Sequence, residues 1–172
     1  SSFAFLIFLT VGPAAAAANR FWIDDQPLPA GTQSVSALVH CEHDVTMTAF
    51  SLSIRYEPES LRFVDATIDG TDVSDPDFLD GDTSTAGELA FGVLLDLSEP
   101  LDKVLPPAAD HSLMRLDFDV LMADGDSTTV AFEDGFGGEL PIRNVITNDV
   151  GQSVFPETED GTIRPVVVSI PA

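Results

Sequence analysis

The stretch TAFSLSIRYEPESLRFVDATIDG, Thr48 to Gly70, decides the fold class. Its first half places Phe50, Leu52, Ile54 and Tyr56 on one side and Ser51, Ser53 and Arg55 on the other. That period of two is the mark of a half-buried β-strand, because successive side chains of a strand point to opposite faces. Glu57-Pro58-Glu59-Ser60 interrupts it, since Pro58 has no N–H to give to a ladder and biases Glu57 toward an extended or turn conformation. A second strand is expected from Leu61 to Ile68, closed by Asp69-Gly70. A strand, a proline corner and a strand are how a β-sandwich begins.

Upstream, Gln33 to Cys41 alternates Val35, Ala37, Val39 and Cys41 against a mostly polar second face, and Phe21 to Asp25 can form a first strand. Downstream, TDVSDPDFLDGDTSTAG reads as a long surface loop by composition. Glu88 to Leu97 reads as a largely buried strand in which Gly92 marks a bulge or a close approach. Ser98 to Asp110, with Pro100, Pro106 and Pro107, is another long connection. Ser112 to Val120 then repeats the alternation, with Met114, Leu116, Phe118 and Val120 inward and Arg115, Asp117 and Asp119 outward. Thr128 to Phe132, Leu140 to Ile146 and Gly161 to Val168 complete the strands, separated by Gly- and Asp-rich turns. Short strands at intervals of about ten residues without any helical period predict an all-β, two-sheet antiparallel sandwich.

The 172 residues suffice for one domain and a small attachment. The attachment is at the front. SSFAFLIFLTVG is apolar and uncharged, Pro13 breaks it, and Ala14 to Ala18 supply the small residues a secretory cleavage site needs. Residues 1–19 are therefore expected to be a signal peptide, with the sequence starting inside it because an initiator Met and a basic leader are both missing. Residues 20–172 are expected to be the domain, without a membrane span and exported to the extracellular space or cell surface.

The formal charge is −22, from 29 acidic residues against seven basic ones, and Lys103 is the only lysine. Such a surface repels phosphate backbones and anionic membranes, which excludes nucleic acid as a partner class. It favours solubility, cation binding or life in high salt. Cys41 stands alone and cannot form an internal disulfide, so it reads as a small buried apolar residue.

Chemistry-bearing motifs are sparse. Asp72, Asp75, Asp77, Asp80 and Asp82 form a candidate calcium loop, although their spacing lacks the alternation, central Gly and terminal Glu of an EF-hand. A solvated acidic loop is the simpler reading. His40 and His43 flank a turn near Asp44 and His111 lies far along the chain; two imidazoles and a carboxylate suit zinc, but no zinc-ligand spacing is present. A nucleophile elbow, a phosphate loop and a Cys–His pair are all missing, which argues against an enzyme. For a sugar platform there are only Trp22 and Tyr56. Tyr56 falls on the inward side of its strand, and Trp22, near the start of the domain, is expected to be packed.

With the strands placed, the order of residues resembles the cohesin family of secreted bacterial β-sandwich modules. Phe50, Leu52, Tyr56, Glu57, Leu61 and Val64 are similar to its aromatic strand and acidic corner. Gly87, Leu89 and Phe91 are similar to its glycine-led strand, and Leu113, Leu116, Phe118 and Val120 to its later alternating strand. Asn144, Gly151, Pro156, Gly161 and Ile163 are similar to its tail, which often continues into a dockerin. The likeness covers Phe21 to Val168; Glu57 replaces the usual Asp, and the acidic 71–87 segment is long. The resemblance implies a jelly-roll-like sandwich of about nine strands, no catalytic residues and a protein partner, of dockerin type or another extracellular protein. Alternatives are a carbohydrate-binding module acting on polysaccharide, or a structural subunit of a surface layer or filament.

Overall fold

The computed structural model describes residues 19–98, 100–138 and 141–166, so the expected signal peptide lies outside the described residues apart from Asn19. Among the described residues thirteen strands form two facing sheets, and no helix occurs. Sheet A has the order β12 (Glu157–Glu159), β1 (Arg20–Ile23), β3 (Ser34–His43), β8 (Ala108–Val120), β5 (Leu61–Thr67). Sheet B is built on β4 (Met47–Tyr56), which pairs along one edge with β7 (Glu88–Leu94), itself paired with β6 (Phe78–Asp82). The other edge of β4 is shared: β10 (Val145–Asn148) takes its first half and β9 (Thr128–Phe132) its second. β11 (Ser153–Val154) flanks β10, while β13 (Gly161–Pro165) and β2 (Gln26–Leu28) extend the sheet beyond β9.

The alternating runs form the core. Phe50, Leu52, Ile54 and Tyr56 from β4 and Leu89, Phe91 and Val93 from β7 face Val35, Ala37, Val39 and Cys41 from β3 and Met114, Leu116 and Phe118 from β8, all buried. Tyr56 packs tilted on Phe118 with ring centroids 5.3 Å apart. Burying apolar faces between two sheets is the dominant stabilising term of such a sandwich. Cys41 is completely buried, and burial first, then the nearby Glu42 and Asp110 charges, push its thiol pKa well up, so it stays an inert packing residue.

The differences from the sequence reading have local causes. The acidic segment is not all loop: Phe78 to Asp82 pairs with β7 as a strand. It was concealed because it is an edge strand exposed on both faces, with no buried residue to impose a period. Val64 points to solvent and is 57% exposed, because a bulge between Phe63 and Asp65 takes it out of register. Gly92 marks neither a bulge nor a close approach. Ser51 to Gly92 pairing continues without interruption, and a Cβ on Gly92 would meet nothing within 4 Å. The close approach is at Gly81, where a Cβ would lie 2.5 Å from the Phe91 ring.

Neither sheet is purely antiparallel. β1 runs parallel to β12 and β2 parallel to β13, so the two ends of the domain cross together from sheet A to sheet B in one unbroken register. At the crossing, Asp25 accepts the Thr162 amide and Asp160 accepts the Phe132 amide, satisfying donors that the change of sheet would orphan. Gly161 fits there because any Cβ would press into Ile23.

Candidate functional site

The outer faces of the two sheets differ in what they leave unsatisfied. On sheet A, charges answer one another across neighbouring strands or along one: Arg20 pairs with Glu159 at 3.1 Å and Glu42 at 3.7 Å, Arg62 with Asp119, and, within β8, Arg115 with Asp117 at 3.3 Å. Trp22 sits on this face, half-buried, with its ring stacked on His40 at 5.0 Å and the Arg20 guanidinium 4.7 Å from its centroid. The expected packing of Trp22 is met by neighbours on its own sheet, and the ring is thereby taken up. Tyr56 is buried in the core.

On sheet B the outward residues are Ala49, Ser51, Ser53 and Arg55 from β4, and Glu88, Ala90, Gly92 and Leu94 from β7. Phe78, Asp80 and Asp82 from β6 and Val145 and Thr147 from β10 complete the set. One half of this face is closed by the chain itself. The connection from β9 to β10 folds back over it, burying Phe136 and bringing Gly137 so near that a Cβ there would lie 3.4 Å from Ala90. Arg55 lies over the Phe136 ring at 5.0 Å and forms a bidentate pair with Glu133 at 2.6 and 2.9 Å.

Asn144 holds this flap in place. On the edge between the β10 and β9 pairings the Ser53 amide has no main-chain partner, its carbonyl takes the Glu133 amide at 3.0 Å, and the Asn144 side chain completes the pairing. Its carbonyl accepts the Ser53 amide at 2.8 Å and its amide donates to the Ser53 carbonyl at 2.9 Å. Asp134 accepts from both the backbone and side-chain amides of Asn144, at 2.8 and 3.0 Å. The Ser53 hydroxyl donates to the Glu133 carbonyl at 2.6 Å and accepts the Phe136 amide at 3.3 Å. A side-chain amide with one donor and one acceptor correctly spaced can stand in for a backbone pair. The resemblance placed Asn144 in the tail; its role as a strand substitute leaves no periodic trace in the sequence.

The other half of the face is bare. Ala49, Ser51, Phe78, Gly92, Leu94, Val145 and Thr147 line a shallow open groove of about 220 Å³, floored by the backbone at Gly92. Phe78 is 45% exposed at its rim. Leu97 and Val150, 64% and 71% exposed, belong to the loops that join β4 at this same end, where the Leu95 amide meets Thr48 and the Asp149 amide meets Thr46. A cluster of exposed apolar residues on an otherwise acidic domain is the feature expected of a contact surface.

The five candidate calcium ligands are spread out. Asp72 accepts the Ser112 amide and hydroxyl at 2.7 and 2.8 Å, which, with His111 nearby, holds its carboxyl below the usual range. Lys103 reaches Asp77 at 2.6 Å and Asp75 at 3.3 Å, so the lone lysine occupies the place between them, and its hydrogen bond lowers the Asp77 pKa. Asp80 accepts from its neighbour Gly81, and Asp82 from the Ser84 amide and hydroxyl, which lower its pKa. Among the described residues no three His, Cys, Asp or Glu converge as metal ligands. The acidic group that organises a loop is one the sequence did not single out: Asp96 accepts the amides of Ser98, Asp102 and Lys103, which hold its pKa far below normal.

The histidines likewise serve separate partners. His40 bridges Asp110 at 2.8 Å and Asp24 at 3.2 Å on sheet A. His43 is buried with its Nδ1 2.7 Å from the Val45 carbonyl, and its ring stacks on His111 at 5.2 Å.

No protein-family model matches the sequence, and no curated protein sequence matches it. Solved structures do. The type I cohesin of OlpA from Clostridium thermocellum, in complex with a dockerin, superposes with a TM-score of 0.67 at 10% identity, over 87% of this chain and 99% of that one. A non-cellulosomal cohesin from the archaeon Archaeoglobus fulgidus gives 0.63 at 17% identity, over 88% and 93%. A type II cohesin domain from the cellulosome of Acetivibrio cellulolyticus gives 0.63 at 16%, over 87% and 95%. The chain has a cohesin-like fold. The expected two-sheet architecture stands, with more strands than expected and with parallel pairs at the ends.

Proposed function

We propose that this cohesin-like domain is a non-catalytic, exported protein-binding module whose partner seats on the bare half of the sheet B face, as a cohesin receives a dockerin. The observation that carries the reading is the asymmetry of that face. Its own flap covers one half, while the other shows exposed Phe78 and half-buried Leu94 and Val145 around Gly92 and joins exposed Leu97 and Val150. A flat sheet surface with an apolar centre and a polar rim has the anatomy of a protein interface. Support also comes from structures of similar fold that were solved bound to dockerins.

Calorimetric titration of the domain with a panel of type I and type II dockerins tests the reading. Saturable binding is expected, lost in Leu94→Arg and retained in Arg62→Ala on sheet A. Binding that survives Leu94→Arg, or that maps to sheet A by amide shifts, would sink it. Export is tested separately: mass spectrometry of the culture-medium protein should find an N-terminus close to Asn19 or Arg20.

A further inference from the structure

Gly92 is expensive where it stands. Glycine inside a strand loses more backbone entropy than any other residue and packs nothing, so it destabilises the strand relative to alanine. Elsewhere the fold explains its glycines: Gly161 and Gly81 leave no room for a Cβ, and Gly137 and Gly87 take positive φ angles against close neighbours. None of this applies to Gly92. Its φ is ordinary, it is regularly paired with Ser51 and Asp80, and a Cβ would point into open space. What its missing side chain creates is a depression in the outer face, walled by Phe78, Leu94 and Val145.

Beside that depression the charge is one-sided. Asp80 of β6 projects outward next to Gly92, and among the described residues its carboxylate accepts only the Gly81 amide, at 2.9 Å. Asp82 follows two residues on, held by Ser84. The nearby cations are committed elsewhere, Lys103 to Asp75 and Asp77, and Arg55 to Glu133. On the β10 side the lining residues Val145 and Thr147 are uncharged, and Arg143 lies before them. A second copy of a chain carrying −22 is a poor occupant, because like charge opposes association.

Resting on the reading of this face as a docking surface, we propose that Gly92 is the seat for one aliphatic side chain of the partner, and that a lysine or arginine adjacent to it on the partner pairs with Asp80. The partner is thus a protein whose contact surface is apolar at its centre and basic on the side that meets β6. The aliphatic group fills the hole and excludes water, and the cation supplies a charge-assisted contact that also steers encounter.

The test uses four synthetic helical peptides presenting leucine or serine at the centre and arginine or glutamate beside it, titrated into the labelled domain while amide shifts are followed. The leucine–arginine peptide should bind, with the Gly92 and Asp80 amides among the largest shifts. Exchanging leucine for serine, or arginine for glutamate, should each weaken binding by about tenfold. Gly92→Leu should fill the hole without lowering the melting temperature, and should weaken binding of the leucine–arginine peptide by at least about tenfold. Asp80→Asn should weaken it severalfold and flatten its salt dependence. Binding that is lost in Leu94→Arg but indifferent to both Gly92→Leu and Asp80→Asn overturns this inference and leaves the docking face standing. Shifts on sheet A alone, or no shift with any peptide, overturn it as well, and dockerin binding then decides the docking reading by itself.

Discussion

The two outer faces of the sandwich solve the same problem in different ways. Sheet A spends its basic residues on itself: Arg20, Arg62 and Arg115 each meet a carboxylate of an adjacent strand or of their own, and His40 lies between Asp24 and Asp110. Sheet B has Arg55, which is used inside the covered half of its face to hold Glu133 and cap Phe136. Its other half carries no such pairing and shows apolar side chains instead. In a chain this short of cations, where they are placed separates the face whose charges are answered from the one proposed to meet a partner.

The covered half should be the more costly one to disturb. Asn144→Leu keeps a side chain of similar size, leaves the buried Ser53 amide without a partner and removes one of the two bonds to the Ser53 carbonyl, which keeps the Glu133 amide at 3.0 Å. An orphaned buried amide costs about 1–3 kcal/mol and the lost bond to the carbonyl about 1 kcal/mol, so urea unfolding should register a loss of about 2–4 kcal/mol. A loss below about 1 kcal/mol would mean that the flap is not pinned as described and that the two halves are not distinct.

On the bare half the same kind of change should leave stability alone and remove binding. Leu94→Arg introduces a charge into the groove centre and should reduce dockerin affinity by at least about a hundredfold, roughly 2.7 kcal/mol. Its unfolding midpoint should stay within about 0.5 kcal/mol of the unaltered domain, as for other surface substitutions. If stability falls and binding persists, the groove belongs to the core and the comparison fails.

This division marks how much could be seen in the sequence. The strands with one buried face, β3, β4, β8 and β9, were legible because burial writes a period of two into Val35 to Cys41, Phe50 to Tyr56, Met114 to Phe118 and Val130. β6 was not, because a strand with both faces in water is free to be Asp- and Gly-rich. β2 and β12 are three residues each and are set by parallel pairing between segments far apart in the chain, which leaves no local pattern. The candidate site was illegible for a related reason. Ser51 and Thr147 look like ordinary solvent positions and Gly92 like a bulge or a close approach until the register puts them side by side, and Asn144 does a strand's work with one side chain.

A smaller effect is expected at His43, the end of β3, where the chain turns toward β4. Burial, opposed by the hydrogen bond to Val45, lowers the His43 pKa below its ordinary 6.5. As pH falls below that value the unfolded chain takes up a proton that folded His43 refuses, so stability drops with falling pH and is fully recovered above it. Thermal melts between pH 8 and pH 5 should show this slope, and His43→Leu should flatten it while lowering stability at neutral pH. An unchanged slope in the variant would assign the pH response to other groups.

The smallest effect should come from the charges that make sheet A look so different. Arg62 is paired with Asp119, but its side chain is 69% exposed, and an ion pair in that setting contributes about 0–1 kcal/mol because water and salt screen it and both side chains lose freedom. Arg62→Ala should therefore shift the urea midpoint only slightly, more at low salt than at high. Its dockerin titration should be indistinguishable from that of the unaltered domain. A loss of affinity there would be more damaging than a loss of stability, because it would move the docking surface to the face whose charges are already answered.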